Sequence, residues 1–371
     1  MSRKQIFRRA FCFRRIVRWL IGGNVVLAAT TVNAVDSSGK EQGLGQTVDA
    51  FITPFVESGS FGGAVLIARG EEVLISKGYG MANLEHGVPN TPQTRFRLGS
   101  LTKQFTAMAI LMLQEQGQLD VQDPICDYVT DCPEAWRSII IHHLLAHASG
   151  IPNFTEFLDY SETMALKSDV VETISRFRNK PLDFEPGTHF CYSNSGYIVL
   201  GYIIKKIAGT DYDQFLQENI FQPLGMLDTG YDHPGLVLKH RASGYRDMGN
   251  GKYKRAAYVH MSLPYAAGGL YSTVEDLYRW DRALYTETLV SQPSLELMFT
   301  PHAQDYGYGW RIRKGPNGTS IGHTGEISGF TTFIGRFVDD DVVVIVLSNI
   351  ENAPFDEIIP GLIARALRKH T

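Results

Sequence analysis

The sequence predicts an α/β fold of the α+β kind: an antiparallel sheet flanked by helices, joined to a large all-helical second domain. Three observations carry that expectation. The stretch 62–80, GGAVLIARGEEVLISKGYG, is two apolar runs meeting at Gly70-Glu71, a β-hairpin signal. Further strand-like runs, Gly318–His323, Gly329–Phe337 and Val342–Ser348, gather near the C-terminus, with Asp339-Asp340-Asp341 turning the last pair. Between these two regions helical periodicity dominates. Strands at both ends with helices between them imply one sheet that pairs the two chain ends and carries the helical part as an insertion. The boundaries drawn are 36–95 plus 262–371 for the discontinuous sheet domain and 96–261 for the mainly helical one.

Residues 1–34 read as an address. Seven basic residues (Arg3, Lys4, Arg8, Arg9, Arg14, Arg15, Arg18) and no acidic one precede the apolar run Trp19–Ala29 and the small-residue sequence Val32-Asn33-Ala34. That is the order of a secretory signal peptide, with cleavage after Ala34. About eleven apolar residues fall short of the roughly 20 that span a bilayer. Arg8-Arg9 adds a twin-arginine hint. The expected location is secreted or periplasmic.

The elements then follow in order. Leu44–Ser58 is amphipathic, with Val48, Phe51, Ile52, Phe55 and Val56 on one face. After the hairpin, Ser100–Gln118 is helical and Gly117 marks its end. Helical segments follow at Ile139–Ala148, Ser168–Phe177, Tyr197–Ala208 and Tyr212–Ile220, and Phe355–Arg368 closes the chain as an amphipathic helix.

The 371 residues are 44% apolar and 20% charged, the balance of a folded globular chain. The formal charge of −4 hides an asymmetry: outside residues 1–34 there are 28 basic residues (35 less seven) against 39 acidic ones. An acidic body offers no electrostatic footprint for nucleic acid. Export would remove Cys12 and leave Cys126, Cys132 and Cys191. Cys126 and Cys132 could close the loop CDYVTDC in an oxidising compartment, or stay as two buried thiols.

Four patterns could carry chemistry. S-x-x-K occurs at Ser37–Lys40, in a polar segment, and at Ser100–Lys103, where it opens an apolar helix. Residues three apart on a helix share a face, with Cβ atoms about 5–6 Å apart, so the Lys103 amine can reach the Ser100 hydroxyl. A serine needs a base before it attacks an acyl carbon, and lysine serves only if its pKa drops far below about 10.4. Tyr192-Ser193-Asn194 lies in a turn before a helix, where a phenol and a carboxamide can project into a cleft. His323-Thr324-Gly325 ends a strand, where a hydroxyl and a cation could grip a carboxylate. Gly318-Thr319-Ser320-Ile321-Gly322 matches the nucleophile elbow G-x-S-x-G, but strand-like residues follow it where a helix is required. His142, His143 and His147 lack the H-E-x-x-H pattern and read as structural. Metal, nucleotide and flavin motifs are missing from the sequence, so no cofactor is expected.

Ser100-x-x-Lys103, Tyr192-x-Asn194 and His323-Thr324-Gly325, in that order, resemble the penicillin-recognising serine enzymes. The similarity is to class C β-lactamases, serine D-alanyl-D-alanine carboxypeptidases and β-lactamase-like esterases. The runs FRLGSLTKQFTAMAI, HHLLAHASGIP, FEPGTHFCYSNSGYIVLGYII, AAGGLYSTVEDLYRW, YGYGW and IGHTGEISGF extend the likeness from about Phe51 to Asn349. The resemblance implies a sheet domain and a helical domain with the active site in the groove between them. It implies Ser100 as nucleophile, with Lys103 and Tyr192 sharing proton transfer without dividing base from acid between them. It further implies Asn194 on the substrate's acyl-side amide, Thr324 and His323 with Gly325 at its carboxylate, and the backbone N–H groups of Ser100 and Glu326 as oxyanion hole. The β-lactamases usually carry lysine at the position of His323; histidine is familiar among the carboxypeptidase-like and esterase-like relatives. An imidazole of free pKa near 6.5 is mostly neutral at about pH 7.5, so its hold on a carboxylate is expected to fade there.

The function implied is an exported serine hydrolase that forms an acyl-enzyme on an amide, ester or β-lactam carbonyl of a small-molecule or peptide substrate. The alternatives are a β-lactamase-like esterase and, from another class, a penicillin-binding sensor module that acylates without turning over.

Overall fold

The computed structural model describes residues 43–315 and 318–368, so the expected signal peptide, 1–34, and the Ser37–Lys40 match lie outside the described residues. Helix α1 (Leu44–Glu57) leads into the hairpin β1 (Gly63–Arg69) and β2 (Glu72–Tyr79). Late in the chain come β3 (Arg311–Gly315), β4 (Gly318–Ile327), β5 (Phe330–Phe337) and β6 (Val342–Ser348). They form one sheet in the order β3-β4-β5-β6-β1-β2, antiparallel at every joint. The two chain ends meet where β1 pairs β6, from Gly63 opposite Ser348 to Arg69 opposite Val342.

Side chains alternate across a strand, so a run that is apolar at every position needs cover on both faces. In β1, Ala64, Leu66 and Ala68 enter one core while Val65 and Ile67 enter another; β6 divides Val343, Ile345 and Leu347 from Val342, Val344 and Val346 in the same way. The larger core reaches the central helices α2 (Thr102–Glu115) and α3 (Asn194–Ala208), and α4 (Val274–Ala283) packs on β1 and β6. On the opposite face lie α1 and α5 (Phe355–Ala366), packed against each other. The mixed α/β architecture with an antiparallel sheet is the one expected.

Helix α2 is buried at every residue from Thr102 to Leu111. A helix apolar on all sides belongs in a core, and this one carries the polar side chain of Lys103 in with it. Three differences from the sequence reading concern local structure. The segment expected to be helical over 139–148 holds only the short helix Ile141–Leu145, because His147 takes φ +56° and ends the turn. The stretch 96–261 also contains strands: Tyr245–Asp247 pairs Tyr253–Arg255, and Phe96–Arg97 and Gly230–Tyr231 flank Leu270–Ser272. The edge strand β3 was not foreseen. Cys126 and Cys132 are joined as a disulfide. No helix among the described residues is long and apolar enough to cross a membrane.

Candidate active site

Ser100 sits in the 3-10 turn Gly99–Leu101 that leads into α2. Gly99 has φ +53°, and a Cβ on it would lie 2.9 Å from backbone atoms of Glu326. Glycine alone suits both the conformation and the approach. From the other side, a Cβ on Gly325 would fall 2.0 Å from Leu98 O and 3.1 Å from Ser100 N. Gly325 therefore serves by its missing side chain, which lets the end of β4 press against the serine turn. The backbone amides of Ser100 and Glu326 come into one corner as a result.

Lys103, one turn on, is completely buried. Its Nζ donates to Asn194 Oδ1 at 2.8 Å and to Ala267 O at 2.8 Å, and lies 3.1 Å from Ser100 Oγ. None of these partners is an anion, and burial holds the amine well below its ordinary pKa. The ring faces of Tyr192 and Tyr197 lie 4.9 and 5.4 Å from Nζ, a setting that tolerates an ammonium when one forms.

Tyr192 and Ser193 occupy the loop before α3, and Asn194 is the first residue of that helix. Asn194 Nδ2 donates to Thr155 Oγ1 at 3.1 Å, so its amide is held from both ends, by Lys103 and by the 153–155 turn. The Tyr192 hydroxyl is buried and meets hydrogen-bond geometry with no described group. Burial pushes its pKa far up, with the nearby Ser100 hydroxyl and Arg311 pulling the other way. At neutral pH it is a phenol, its hydroxyl directed to the neighbourhood of Ser100.

His323 departs from expectation. The ring is buried, its Nδ1 lies 2.5 Å from Thr324 O, and its Nε2 lies 3.0 Å from the Tyr306 hydroxyl. A carbonyl can only accept, so Nδ1 carries the proton and Nε2 accepts from Tyr306. Burial, together with the charge of Arg311, pushes its pKa down to about 3. The expected pH-dependent imidazolium grip on a carboxylate is therefore corrected: His323 stays neutral, and both ring nitrogens are already engaged. Thr324 remains partly exposed beside it, and Glu326 is exposed at the end of the strand.

Residues 48–368 match the family model described as Beta-lactamase. The chain belongs to the beta-lactamase family. It is 32% identical over 318 residues to Penicillin-binding protein 4* of Bacillus subtilis (strain 168), a match covering 80% of this chain and 69% of that one. The penicillin binding protein from Bacillus halodurans superposes with a TM-score of 0.77 at 27% identity, covering 85% of this chain and 99% of that one. D-amino acid amidase from Ochrobactrum anthropi SV3 superposes with a TM-score of 0.75 at 25% identity, covering 86% and 99%. The protein is thus a serine hydrolase of the beta-lactamase fold.

Within this beta-lactamase framework the structure brings Ser100, Lys103, Tyr192, Asn194, His323, Gly325 and Glu326 together from three separate stretches of chain. Ser320 is excluded from an elbow: it lies inside β4, paired with Phe337 on one side and Arg313 on the other. Among the described residues no cluster of histidine, cysteine and carboxylate side chains could hold a metal ion. Three residues around the site escaped the sequence reading. Tyr306 lies in the run YGYGW, which was noted only as a resemblance, and it fixes the tautomer of His323. Arg311 stands opposite Gly322 in the sheet register, 5.5 Å from the Tyr306 ring and 5.9 Å from Phe190, with Asp305 as its ion-pair partner at 3.0 Å. His147, read as merely structural, stacks on Tyr192 with ring centroids 4.1 Å apart. Short-range pattern could have flagged only the last, as a histidine beside Ser149-Gly150.

Proposed function

We propose that the protein is an exported serine hydrolase acting through an acyl-enzyme at Ser100, on an amide, ester or β-lactam carbonyl, in the manner of a D-alanyl-D-alanine carboxypeptidase or a β-lactamase. The observation that carries this reading is the partner set of Lys103. Two of its three neighbours are carbonyl oxygens, which can only accept. A neutral amine gives them its two N–H groups and turns its lone pair to the Ser100 O–H, the arrangement of a general base.

On this reading Lys103 takes the hydroxyl proton as Ser100 Oγ bonds to the acyl carbon. The carbonyl electron pair moves onto oxygen, against the backbone N–H groups of Ser100 and Glu326, where one such donor is typically worth about 3 kcal/mol. Tyr192, kept a phenol by burial, gives its proton to the leaving nitrogen or oxygen as that bond breaks, and the Lys103 ammonium restores it. Neither a lone phenolate nor a lone buried ammonium has to persist. Asn194 has a second N–H, beyond the one held by Thr155, for the substrate's acyl side. Thr324 and Arg311 are the groups suited to a carboxylate on the leaving side, now that His323 is neutral.

Three further facts support the reading. The relatives are named for penicillin binding and for D-amino acid amide hydrolysis, both chemistries of an amide carbonyl. Export rests on the order of residues 1–34. The site joins residues of both the stretch 96–261 and the stretch 262–371, as a groove between two domains would.

Ser100→Ala should abolish covalent labelling by a fluorescent penicillin, and full labelling of that variant refutes the assignment. Parallel kinetics on a chromogenic cephalosporin, a D-Ala-D-Ala peptide and a short-chain aryl ester rank the carbonyl classes. Steady turnover after the first equivalent separates the enzyme from a sensor that stays acylated.

A further inference from the structure

His147 holds Tyr192 from three directions. Its backbone carbonyl accepts from Cys191 N–H at 2.9 Å, and its Nδ1 accepts from Ser193 N–H at 3.2 Å. One residue thus ties down the peptide on each side of Tyr192. Its ring, which is buried, also lies 4.1 Å from the Tyr192 ring, tilted by 36°. The left-handed backbone at His147, φ +56°, is what lets carbonyl and imidazole of the same residue address the loop together.

Because Nδ1 accepts, the proton of the neutral ring sits on Nε2. That Nε2 is buried and has no hydrogen-bond partner among the described residues. The rings around His147 are Tyr306, at 4.7 Å and 62°, Tyr197 at 5.1 Å and Phe190 at 6.0 Å. A buried N–H left without an acceptor is costly, and a fold keeps one only where something else is gained.

We infer that His147 is the positioning residue of Tyr192, setting both the path of the 191–193 loop and the plane of the phenol so that its hydroxyl stays beside Ser100. The inference rests on the reading of Tyr192 as the acid that protonates the leaving group. Burial and the charge of Arg311 disfavour a cation on this ring, which keeps Nδ1 an acceptor.

The consequence is specific to the leaving group. A misplaced acid matters for a poor leaving group, which needs the proton, and hardly at all for a good one. His147→Asn keeps a residue type that tolerates the left-handed backbone and a side-chain acceptor, but removes the ring. Rates are measured on the full-length protein with aryl esters of graded leaving-group pKa and with a D-amino acid anilide. In His147→Asn, kcat is expected to fall about tenfold or more for the anilide and the least acidic phenols, with KM and the nitrophenyl ester rate nearly unchanged. Tyr192→Phe should show the same steepening, and adding His147→Asn to it should cost nothing more. Equal losses for every leaving group, or additive losses in the double variant, overturn the inference. A steep slope for Tyr192→Phe with a flat one for His147→Asn overturns it alone, whereas a flat slope for Tyr192→Phe overturns the acid reading beneath it. Should His147→Asn not fold, His147→Gln and 15N-imidazole NMR of the unmodified protein decide. A neutral ring protonated at Nε2 across roughly pH 5 to 9 is expected, and an imidazolium or the opposite tautomer in that range overturns the assignment.

Discussion

Lys103 Nζ donates to Asn194 Oδ1 at 2.8 Å, tying together two residues that stand 91 positions apart in the chain. The partner is an amide, which offers no negative charge to offset the burial that lowers the pKa of the amine. Asn194→Asp would put a carboxylate at the same distance. An opposite charge so near favours the ammonium, so the pKa of Lys103 must rise. If Lys103 is the base, the acidic limb of kcat/KM moves to higher pH and the rate near neutrality falls. A limb that stays in place in Asn194→Asp counts against Lys103 as the proton acceptor.

Burial of that amine has a thermodynamic cost. Between its lowered folded pKa and about 10.5 the unfolded chain binds a proton that the native site refuses, so this group opposes folding at neutral pH. Lys103→Met fills the same volume without the penalty, although Ala267 O and Asn194 Oδ1 each lose a donor. Activity should vanish while the melting temperature holds or rises, the trade expected of a site selected for reactivity. A fall of several degrees would show that the amine contributes more to packing than to chemistry.

A buried ion pair away from the site is structural. Asp281 on α4 accepts from Arg336 Nε on β5 at 2.7 Å, with the side chains 0% and 2% exposed. Asp281→Ala strands the guanidinium in the core and should cost about 3–5 kcal/mol in urea unfolding. Arg282, the other partner of Asp281, keeps Asp341 at 2.9 Å and so adds little to the loss. Exchanging the pair together, Asp281→Leu with Arg336→Met, should recover most of the stability. Specific activity of the folded fraction is expected to be unchanged in both, which separates this strut from the site.

What could be read in the chain was what is local. The strands β1 and β6 announce themselves because Ala64–Ala68 and Val342–Leu347 are unbroken apolar runs, and their two-sided burial is the cause. Ser100 and Lys103 are legible because three residues of helix place them together. The state of His323 was not legible: its neutrality comes from burial that no nearby pattern reports, and its tautomer from Tyr306, 17 residues away. Arg311 was hidden for a similar reason, since its nearness to the site depends on the pairing of β3 with β4. The helix expected over 139–148 stops early at a left-handed histidine, a position where glycine or asparagine would have been the visible signal.

Several imidazoles make acid stability a further test. His142 is pushed down to about 4 by burial and by the neighbouring His302 and His143 rings, with its Nδ1 bonded to the Tyr308 hydroxyl at 2.6 Å. Burial also lowers His143, His302 and His147, and takes His323 to about 3. Each is neutral in the native state and charged in the unfolded chain once the pH drops below about 6.5. The unfolded state then binds more protons, so stability is complete above that value and declines as the pH falls towards 4. Carboxylates held low by hydrogen bonds, such as Asp123 with Tyr128, begin to weaken the fold only at lower pH still. Denaturant unfolding at a series of pH values should therefore show a loss of stability between about pH 6.5 and 5, before the carboxylates held low by hydrogen bonds titrate. His142→Gln removes one of the responsible groups and should flatten that slope. A wild-type profile that stays level down to about pH 5 would mean the imidazoles reach solvent in the native state, contrary to the packing of His142 against His302 at 4.9 Å.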